Sequence, residues 1–410
     1  MRNSMLRRVA TMATTLGLTT LGLFGAGAAP AQAAPGDCPS GYFCAWKTDN
    51  ATGTMYKTNV NRATLGTWDN TFRSVVNHTN KWLCLYDGQN YTGPAGATVL
   101  PPDPAGTEWG GPGSNSVSSV KLVPTERECR GAAYPQWYAA TAPTAAGFGD
   151  LNADKRSDVL VRDEAGRLWF LPGDSTGRLV GAGGWGAMNA LTRHGDFTGD
   201  GREDVIARES ATGKLWLYPG TGTGALGSRK LIGSGGWNAM SKLTAYGDLT
   251  GDGRSDLLAV EPSTGKLWAY PGTSTGTLGA RKLIGAGGWN AMNSLVAPGD
   301  MNGDGKADLI AREASTGKLW FYPGTGSGGF GPRVLIGSGG WNVMASFLAV
   351  GDFGGDGRND LAAVTTYAYV GEGCRGVGCL VLYSGKGTGA LNAGLPESWE
   401  NDWSDLRGAF

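Results

Sequence analysis

Histidine is almost missing from this chain of 410 residues: only His78 and His194 carry an imidazole. So small a supply gives little basis for a His-dependent nucleophile or a His-built zinc site. Charge of one sign is missing too, because 35 Lys and Arg balance 35 Asp and Glu, and no basic run suggests nucleic acid. Beyond the N-terminal segment no stretch approaches about 18 consecutive apolar residues, so no membrane span is expected. Helix-favouring runs of Lys, Leu, Glu and Ala are few. What abounds is glycine, with 71 residues, and tryptophan, with 15. That composition argues for many short strands joined by tight turns, and the expected fold class is all-β.

The first residues carry Arg2, Arg7 and Arg8 without an acid, then a run of Ala, Leu, Gly and Thr, then Ala31-Gln32-Ala33. This pattern reads as a secretory signal over residues 1–33, giving an exported, extracellular chain that begins near Ala34. In an oxidising compartment the even set Cys38, Cys44, Cys84, Cys129, Cys374 and Cys379 is expected to form disulfides. Cys374 and Cys379 are expected to pair with each other. The first four allow three pairings.

The segment "GDLTGDGRSDLLAV" recurs. Its counterparts start at Asp150, Asp196, Asp248, Asp300 and Asp352, the last four 52 residues apart. A period of this length marks stacked supersecondary units. "KLW" at Trp216, Trp268 and Trp320 and "GGW" at Trp237, Trp289 and Trp341 keep the same step, with Trp169 and Trp185 in a shortened first unit. Each unit holds about four short apolar runs, so five units suggest a five-bladed β-propeller over residues 131–410. The fifth unit carries extra residues around Cys374 and Cys379 and has Val381 where the others have Trp. The chain ends about where that unit's last strand should follow, and a matching piece, "TAPTAAGFGD", precedes the first loop. The two ends are therefore expected to meet and close the ring.

Oxygen-bearing side chains stand at positions 1, 3, 5 and 9 of the complete loops, with Gly at position 6 for the sharp turn, and calcium prefers such ligands. The complete sets are Asp196, Thr198, Asp200 and Asp204; Asp248, Thr250, Asp252 and Asp256; and Asp300, Asn302, Asp304 and Asp308. Two weaker sets are Asp150, Asn152, Asp154 and Asp158, with Lys155 at the Gly position, and Asp352, Asp356 and Asp360, with Gly354 at position 3. Carboxylates held so close repel unless a cation compensates. Plain turn chemistry, which also favours Asp, Asn and Gly, is the competing explanation.

These repeats resemble the FG-GAP or VCBS type of integrin-like propellers, which implies calcium as a structural ion bracing turns between strands. Rings of that kind commonly use seven blades, where this chain has five copies. "LIGSGGWNAM", "LIGAGGWNAM" and "LIGSGGWNVM" are similar to the IGxGGW signature of tachylectin-type five-bladed propellers, which implies binding of N-acetylated sugars. A Trp beside Gly-Gly offers an apolar face to a sugar ring and backbone groups to its hydroxyls. Trp185, Trp237, Trp289 and Trp341 mark four expected sugar sites and Trp403 a degraded fifth. Inter-blade packing is the alternative role for these indoles.

Residues 34–130 show no such period. "LCLYDGQNYTG" sets Tyr86, Tyr91 and Gly93 in the spacing of a crystallin Greek-key corner, and Trp46, Ala51 and Gly53 repeat it. Two halves of a βγ-crystallin-like Greek-key sandwich are expected. With its cysteines, this region resembles the crystallin-like metalloproteinase-inhibitor family, implying a secreted metalloproteinase as partner. Arg73 falls within the segment that would form a crystallin calcium site at Asp69 and Asn70, which disfavours an ion there. No reactive residue is indicated. The expected whole is a secreted, non-enzymatic, calcium-binding protein whose propeller holds a carbohydrate or cell-wall glycan. A protein-binding scaffold and a glycan-degrading enzyme are the alternatives.

Overall fold

The computed structural model describes residues 34–107, 109–110, 115–142, 149–371, 374, 378–397 and 403–410, so the expected leader at 1–33 lies outside the described residues. Short 3₁₀ turns are the only helical pieces among them. No helix there is long and apolar enough to cross a membrane.

The front domain contains β1 (Tyr42–Trp46), β2 (Met55–Thr58), β3 (Ser74–His78), β4 (Trp82–Gly88), β5 (Thr92–Leu100), β6 (Trp109–Gly110) and β7 (Ser119–Val123). They form two antiparallel sheets, ordered β2-β1-β3-β6 and β5-β4-β7. Each half gives one segment to the opposite sheet. β6, from the second half, pairs with β3 of the first, and Arg62, from the first half, bridges Val120 of β7. Between the sheets lie Phe43, Phe72, Val75, Leu83, Leu85 and Val120, all at most 1 % exposed. Alternating residues of both sheets meet there, as a two-sheet sandwich requires. The three cysteine pairs are Cys38–Cys44, Cys84–Cys129 and Cys374–Cys379. The first two close the pairing choice that spacing alone leaves open.

Five four-stranded antiparallel blades follow. Blade 1 contains β8 (Val159–Arg162), β9 (Leu168–Leu171) and β10 (Arg178–Gly181). Blade 2 contains β11 (Met188–Thr192), β12 (Val205–Glu209), β13 (Leu215–Tyr218) and β14 (Lys230–Gly233); blade 3 contains β15 (Ser241–Gly247), β16 (Asp256–Glu261), β17 (Lys266–Tyr270) and β18 (Lys282–Gly285). Blade 4 contains β19 (Met292–Gly299), β20 (Asp308–Glu313), β21 (Leu319–Tyr322) and β22 (Val334–Gly337). Blade 5 contains β23 (Met344–Ala349), β24 (Leu361–Thr365), β25 (Leu380–Tyr383) and β26 (Leu395–Pro396). The last strand, β27 (Gly408–Ala409), returns to blade 1 and pairs with β8.

The blades are sandwiched between neighbours, so their middle strands are apolar on both faces. Leu257, Leu258, Ala259 and Val260 of β16 are all fully buried, and Leu258 and Val260 share one core with Leu309 and Ala311 of blade 4. The ends of the repeat region do meet, with one correction to the expected arrangement. Blade 5 completes its own sheet with β26, and it is blade 1 that lacks a strand and receives β27 from the far end of the chain. The "TAPTAAGFGD" piece does not supply a blade strand among its described residues. Thr141 bridges Arg156, the Ala140 amide donates to the Phe353 carbonyl, and residues 143–148 lie outside the described set.

Candidate functional site

In blades 2 to 5 the acid loop joins the first and second strands, and in blade 1 it leads into β8 at the same end, whereas each Gly-Gly-Trp turn joins the last strand of one blade to the first of the next. In an antiparallel sheet these two kinds of connection leave opposite ends of the strands. The acid and tryptophan motifs therefore occupy opposite faces of the ring.

In the loop at Asp248, that carboxylate accepts the amides of Gly251 (2.6 Å), Asp252 (3.1 Å) and Gly253 (2.7 Å). Asp196, Asp300 and Asp352 do the same at their positions. Asp150 accepts the amides of Asp154 and Lys155. This turn needs left-handed backbone at two points: Gly251 and Gly253 have φ of 77° and 79°. Ala153 and Lys155 adopt 63° and 66° in the first loop, at a cost of about 1 kcal/mol each relative to Gly. Its shape is kept although its glycines are not.

The position 9 carboxylates are fully buried: Asp158, Asp204, Asp256, Asp308 and Asp360 are all 0 % exposed. Asp256 accepts the Leu249 and Thr250 amides on one oxygen and the Gly272 amide on the other. Asp204 is held in the same way by Phe197, Thr198 and Gly220. Burial, with the neighbouring loop aspartates adding to it, pushes Asp204 and Asp308 up to about 6, Asp360 up to about 7 and Asp158 up to about 8. Four of the five position 5 carboxylates have a partner that the sequence reading overlooked, a basic residue two positions on. Asp200–Arg202, Asp252–Arg254, Asp304–Lys306 and Asp356–Arg358 lie 3.2 to 3.8 Å apart. Such exposed pairs contribute little stability.

Among the described residues, no three acidic, His or Cys side chains converge closely enough to hold an ion as they stand. Two of the expected ligand atoms do lack partners: Asp158 Oδ1 and Thr250 Oγ1 are buried without a hydrogen bond. Position 3 is otherwise taken up locally. Asn152 and Asn302 accept the amides of Asp154 and Asp304, and Thr198 Oγ1 lies 3.4 Å from Asp196 Oδ1.

On the other face, Trp185, Trp237, Trp289 and Trp341 stack on Tyr218, Tyr270, Tyr322 and Tyr383 of the next blade, with ring centroids 4.7, 4.5, 4.9 and 4.8 Å apart. These indoles pack between blades. A Cβ on Gly181, Gly233, Gly285 or Gly337 would collide with the indole Nε1, which explains the glycine four residues before each Trp. Trp185 and Trp289 are 7 % and 9 % exposed, and Trp237 and Trp341 are half-buried. Arg162, Arg208 and Arg312 each donate to the Trp carbonyl of the turn that follows their blade, at 3.0, 2.9 and 2.9 Å. Val260 and Val364 occupy the corresponding places in blades 3 and 5. Trp403 is 2 % exposed and belongs to the core where blade 5 meets blade 1, set edge-on to Trp137.

Sequence reasoning also passed over a buried charged group peculiar to the second repeat. Arg193 donates to the Asp158 carbonyl, and its Nη1 lies 3.5 Å from Glu203 Oε1. Glu203 Oε2 accepts the Gly149 amide at 3.0 Å. The next repeat has Ala245, Tyr246 and Ser255 at the positions of Arg193, His194 and Glu203, so only the unequal size of the second unit's residues signals this group in the sequence.

In the front domain a buried serine holds each corner. Ser74 Oγ accepts the Ala51 amide and donates to the Thr48 carbonyl, while Ser119 Oγ accepts the Tyr91 amide and donates to the Gly88 carbonyl. Two corners with the same internal scaffold, in two halves that trade segments, are the repeated Greek-key plan. Residues 31–98 match the model of peptidase inhibitor family I36. The front domain is an I36 peptidase inhibitor domain. The I36 domain meets blade 1 through Arg167, which donates to both Glu128 oxygens at 3.2 and 2.9 Å and to Asp163 at 2.6 Å.

Residues 196–259, 248–311 and 300–363 match the FG-GAP-like repeat model, each match starting at the first aspartate of a loop. The loop beginning at Asp150 lies outside these matches. No curated protein matches the chain. Among solved structures, one concerned with recognition of non-reducing terminal N-acetylglucosamine by an Agrocybe aegerita lectin aligns over 89 % of this chain and 91 % of that one, at 15 % identity and a TM-score of 0.38. A dihydro-heme d1 dehydrogenase aligns over 93 % of this chain and 76 % of its own, at 14 % identity and a TM-score of 0.30. A rhamnogalacturonan lyase aligns over 84 % and 70 %, at 15 % identity and a TM-score of 0.25.

Proposed function

We propose that this is an exported, non-enzymatic binding protein, with a propeller that holds an N-acetylated sugar of a cell-wall glycan at its Gly-Gly-Trp turns and an I36 domain that blocks a peptidase. The observation that carries the sugar reading is the bareness of the turn. A Cβ on Gly183 or Gly287 would meet nothing within 4 Å, and neither residue has a left-handed φ. Glycine there answers no internal steric demand, and it leaves peptide groups uncovered beside an indole. At Trp237 and Trp341, which keep more exposure, the matching Gly235 and Gly339 have φ of 153° and 146°, so glycine there also meets a backbone demand. The central channel is a poor alternative, since it encloses only about 110 Å³ and ligand pockets run to roughly 300–1,000 Å³.

Calcium is proposed as the brace of the opposite face. The side chains at positions 1, 3, 5 and 9 would hold it, with Asp158 Oδ1 and Thr250 Oγ1 gaining the partner they lack. A bound divalent ion supplies positive charge that offsets the crowded carboxylates. The same loops already tie neighbouring blades together: the Leu249 carbonyl accepts the Gly328 amide and the Met301 carbonyl the Gly389 amide. Stabilising the loop would stabilise the ring.

A second reading, a scaffold for another protein, is favoured by Leu179, Leu231, Leu283 and Leu335 on the outermost strands. They stand at equivalent places and are 48, 42, 47 and 44 % exposed. A glycan array probed with and without chelator separates the two. Sugar binding supports the first reading. Partner capture that free sugar does not compete away supports the second.

A further inference from the structure

The inhibitory role of the I36 domain requires a segment that enters a peptidase cleft, and the described residues hold one clear candidate. Among the large hydrophobic side chains of the front domain's described residues, Val60 alone stands out as exposed, at 51 %. It lies in an exposed run, residues 59–62, between the buried anchors Thr58 and Leu65. An apolar side chain left this exposed gains little for the fold.

The loop around it is unusually well held. Thr58, 3 % exposed, places its hydroxyl as a hub: Oγ1 donates to the Val60 carbonyl at 2.9 Å and accepts the Val60 amide at 3.3 Å and Arg62 Nε at 3.2 Å. Asn61 Oδ1 accepts the Leu122 amide at 2.8 Å. Arg62 exchanges two backbone hydrogen bonds with Val120, both 2.8 Å, and the Ala63 carbonyl accepts the Asn90 amide at 2.8 Å. Every residue from Thr58 to Ala63 except Asn59 is thus tied to the sandwich or to the Thr58 hub. The ties come from β7 and from the corner that precedes β5, which belong to the other half of the domain. Loss of freedom on docking is therefore small, and rigid presentation is what separates a tight inhibitory loop from a substrate.

We propose that residues 59–62 are the peptidase-contacting loop of this domain and that Val60 fills the primary specificity pocket of the target. A branched aliphatic side chain fits a peptidase with an apolar pocket. Arg62, the other side chain in the run that a peptidase could read, is committed to the Thr58 hydroxyl, which disfavours a target with an acidic pocket. This assignment rests on the inhibitory reading of the domain.

The test uses the full chain against thermolysin and elastase, which have apolar pockets, and trypsin, which has an acidic one. Inhibition of thermolysin or elastase should weaken about 30-fold or more in Val60→Asp and persist in Val60→Leu, with the melting midpoint unchanged because the residue is exposed. Thr58→Val, which keeps the volume and removes the hub, should weaken inhibition about 10-fold while the peptidase begins to cut the loop. Inhibition unaffected by Val60→Asp overturns the assignment and leaves the inhibitory reading standing. Inhibition of trypsin alone also overturns it. A wild-type chain that inhibits none of the three overturns the reading beneath it.

Discussion

His194 Nδ1 lies 3.1 Å from Glu203 Oε1 in the seam between the first two blades, and both side chains are buried. Burial holds His194 down to about 4 against an ordinary value of 6.5. Burial alone would raise Glu203, but Arg193 and His194 hold it down to about 2. The unfolded chain thus takes up a proton on His194 near pH 6.5, while the folded one resists to about pH 4. The stability this contributes is full above pH 6.5 and is lost as pH falls toward 4. Glu203 adds a loss between about 4.5 and 2, whereas the raised loop aspartates act in the opposite sense. The clean readout is a difference. The melting midpoint of the wild type minus that of His194→Asn should shrink as pH drops from 6.5 to 4, and a constant gap would refute the linkage. Asn suits the left-handed φ of 88° at this position.

Glu203→Gln should be severe, because it leaves the Arg193 guanidinium enclosed without its counter-charge. A loss of about 3–5 kcal/mol is expected. Urea unfolding at pH 7 measures it, and a change below about 1 kcal/mol would show that the carbonyl of Asp158 suffices to hold the guanidinium.

Gly233→Ala tests whether the glycine of the Trp turn serves packing. Its methyl group must displace the Trp237 ring from Tyr270, with an expected cost of about 1–3 kcal/mol. The same variant should weaken N-acetylglucosamine binding followed by tryptophan fluorescence. Gly287→Ala, whose methyl group meets open space, should leave stability nearly unchanged and reduce sugar binding alone. If both variants bind sugar normally, the turn is not the site.

Chelation should lower the melting midpoint of the propeller and spare the front domain, which has two disulfides of its own. Asp248→Ala should remove more of the calcium-dependent shift than Asp150→Ala, since Lys155 brings a cation into the first loop. A melt indifferent to chelator and to added calcium would leave the backbone hydrogen bonds and the position 7 cations as the whole explanation of these loops.

Deleting residues 403–410 should abolish a cooperative propeller transition, because it removes both Trp403 and the innermost strand of blade 1. Near-ultraviolet circular dichroism and gel filtration should report lost packing and association through the bared edge of β8. A monomer with a sharp melt would show that the ring tolerates an open blade.

The periodic parts of this architecture were legible because repetition turns weak signals into strong ones. One "DLLAV" is an ambiguous apolar run, but recurrence at Asp204, Asp256, Asp308 and Asp360 fixes where each second strand begins. Closure was read with the wrong donor, since Gly408–Ala409 has no sequence pattern to distinguish it from a tail and its identity as a strand comes only from β8. The tryptophan turns were read as either ligand face or core, and the stacking on Tyr218, Tyr270, Tyr322 and Tyr383 shows the packing role that period alone cannot assign. Ser74 and Ser119 lie outside the corner motifs in the sequence. Their importance was hidden because a hydroxyl's partners are set by tertiary approach rather than by neighbours in sequence.

The exchange of β6 and the Arg62 segment between the two halves of the front domain bears on how the chain assembles. Each sheet contains material made both early and late in the domain, so neither half can mature while the other is still being synthesised. The propeller repeats this on a larger scale, since its first blade waits for residues 408–409 as vectorial synthesis proceeds. Contacts joining distant parts of a chain slow folding. The front domain, whose last residues precede the end of this sequence by some 280, can complete its contacts before the ring can close.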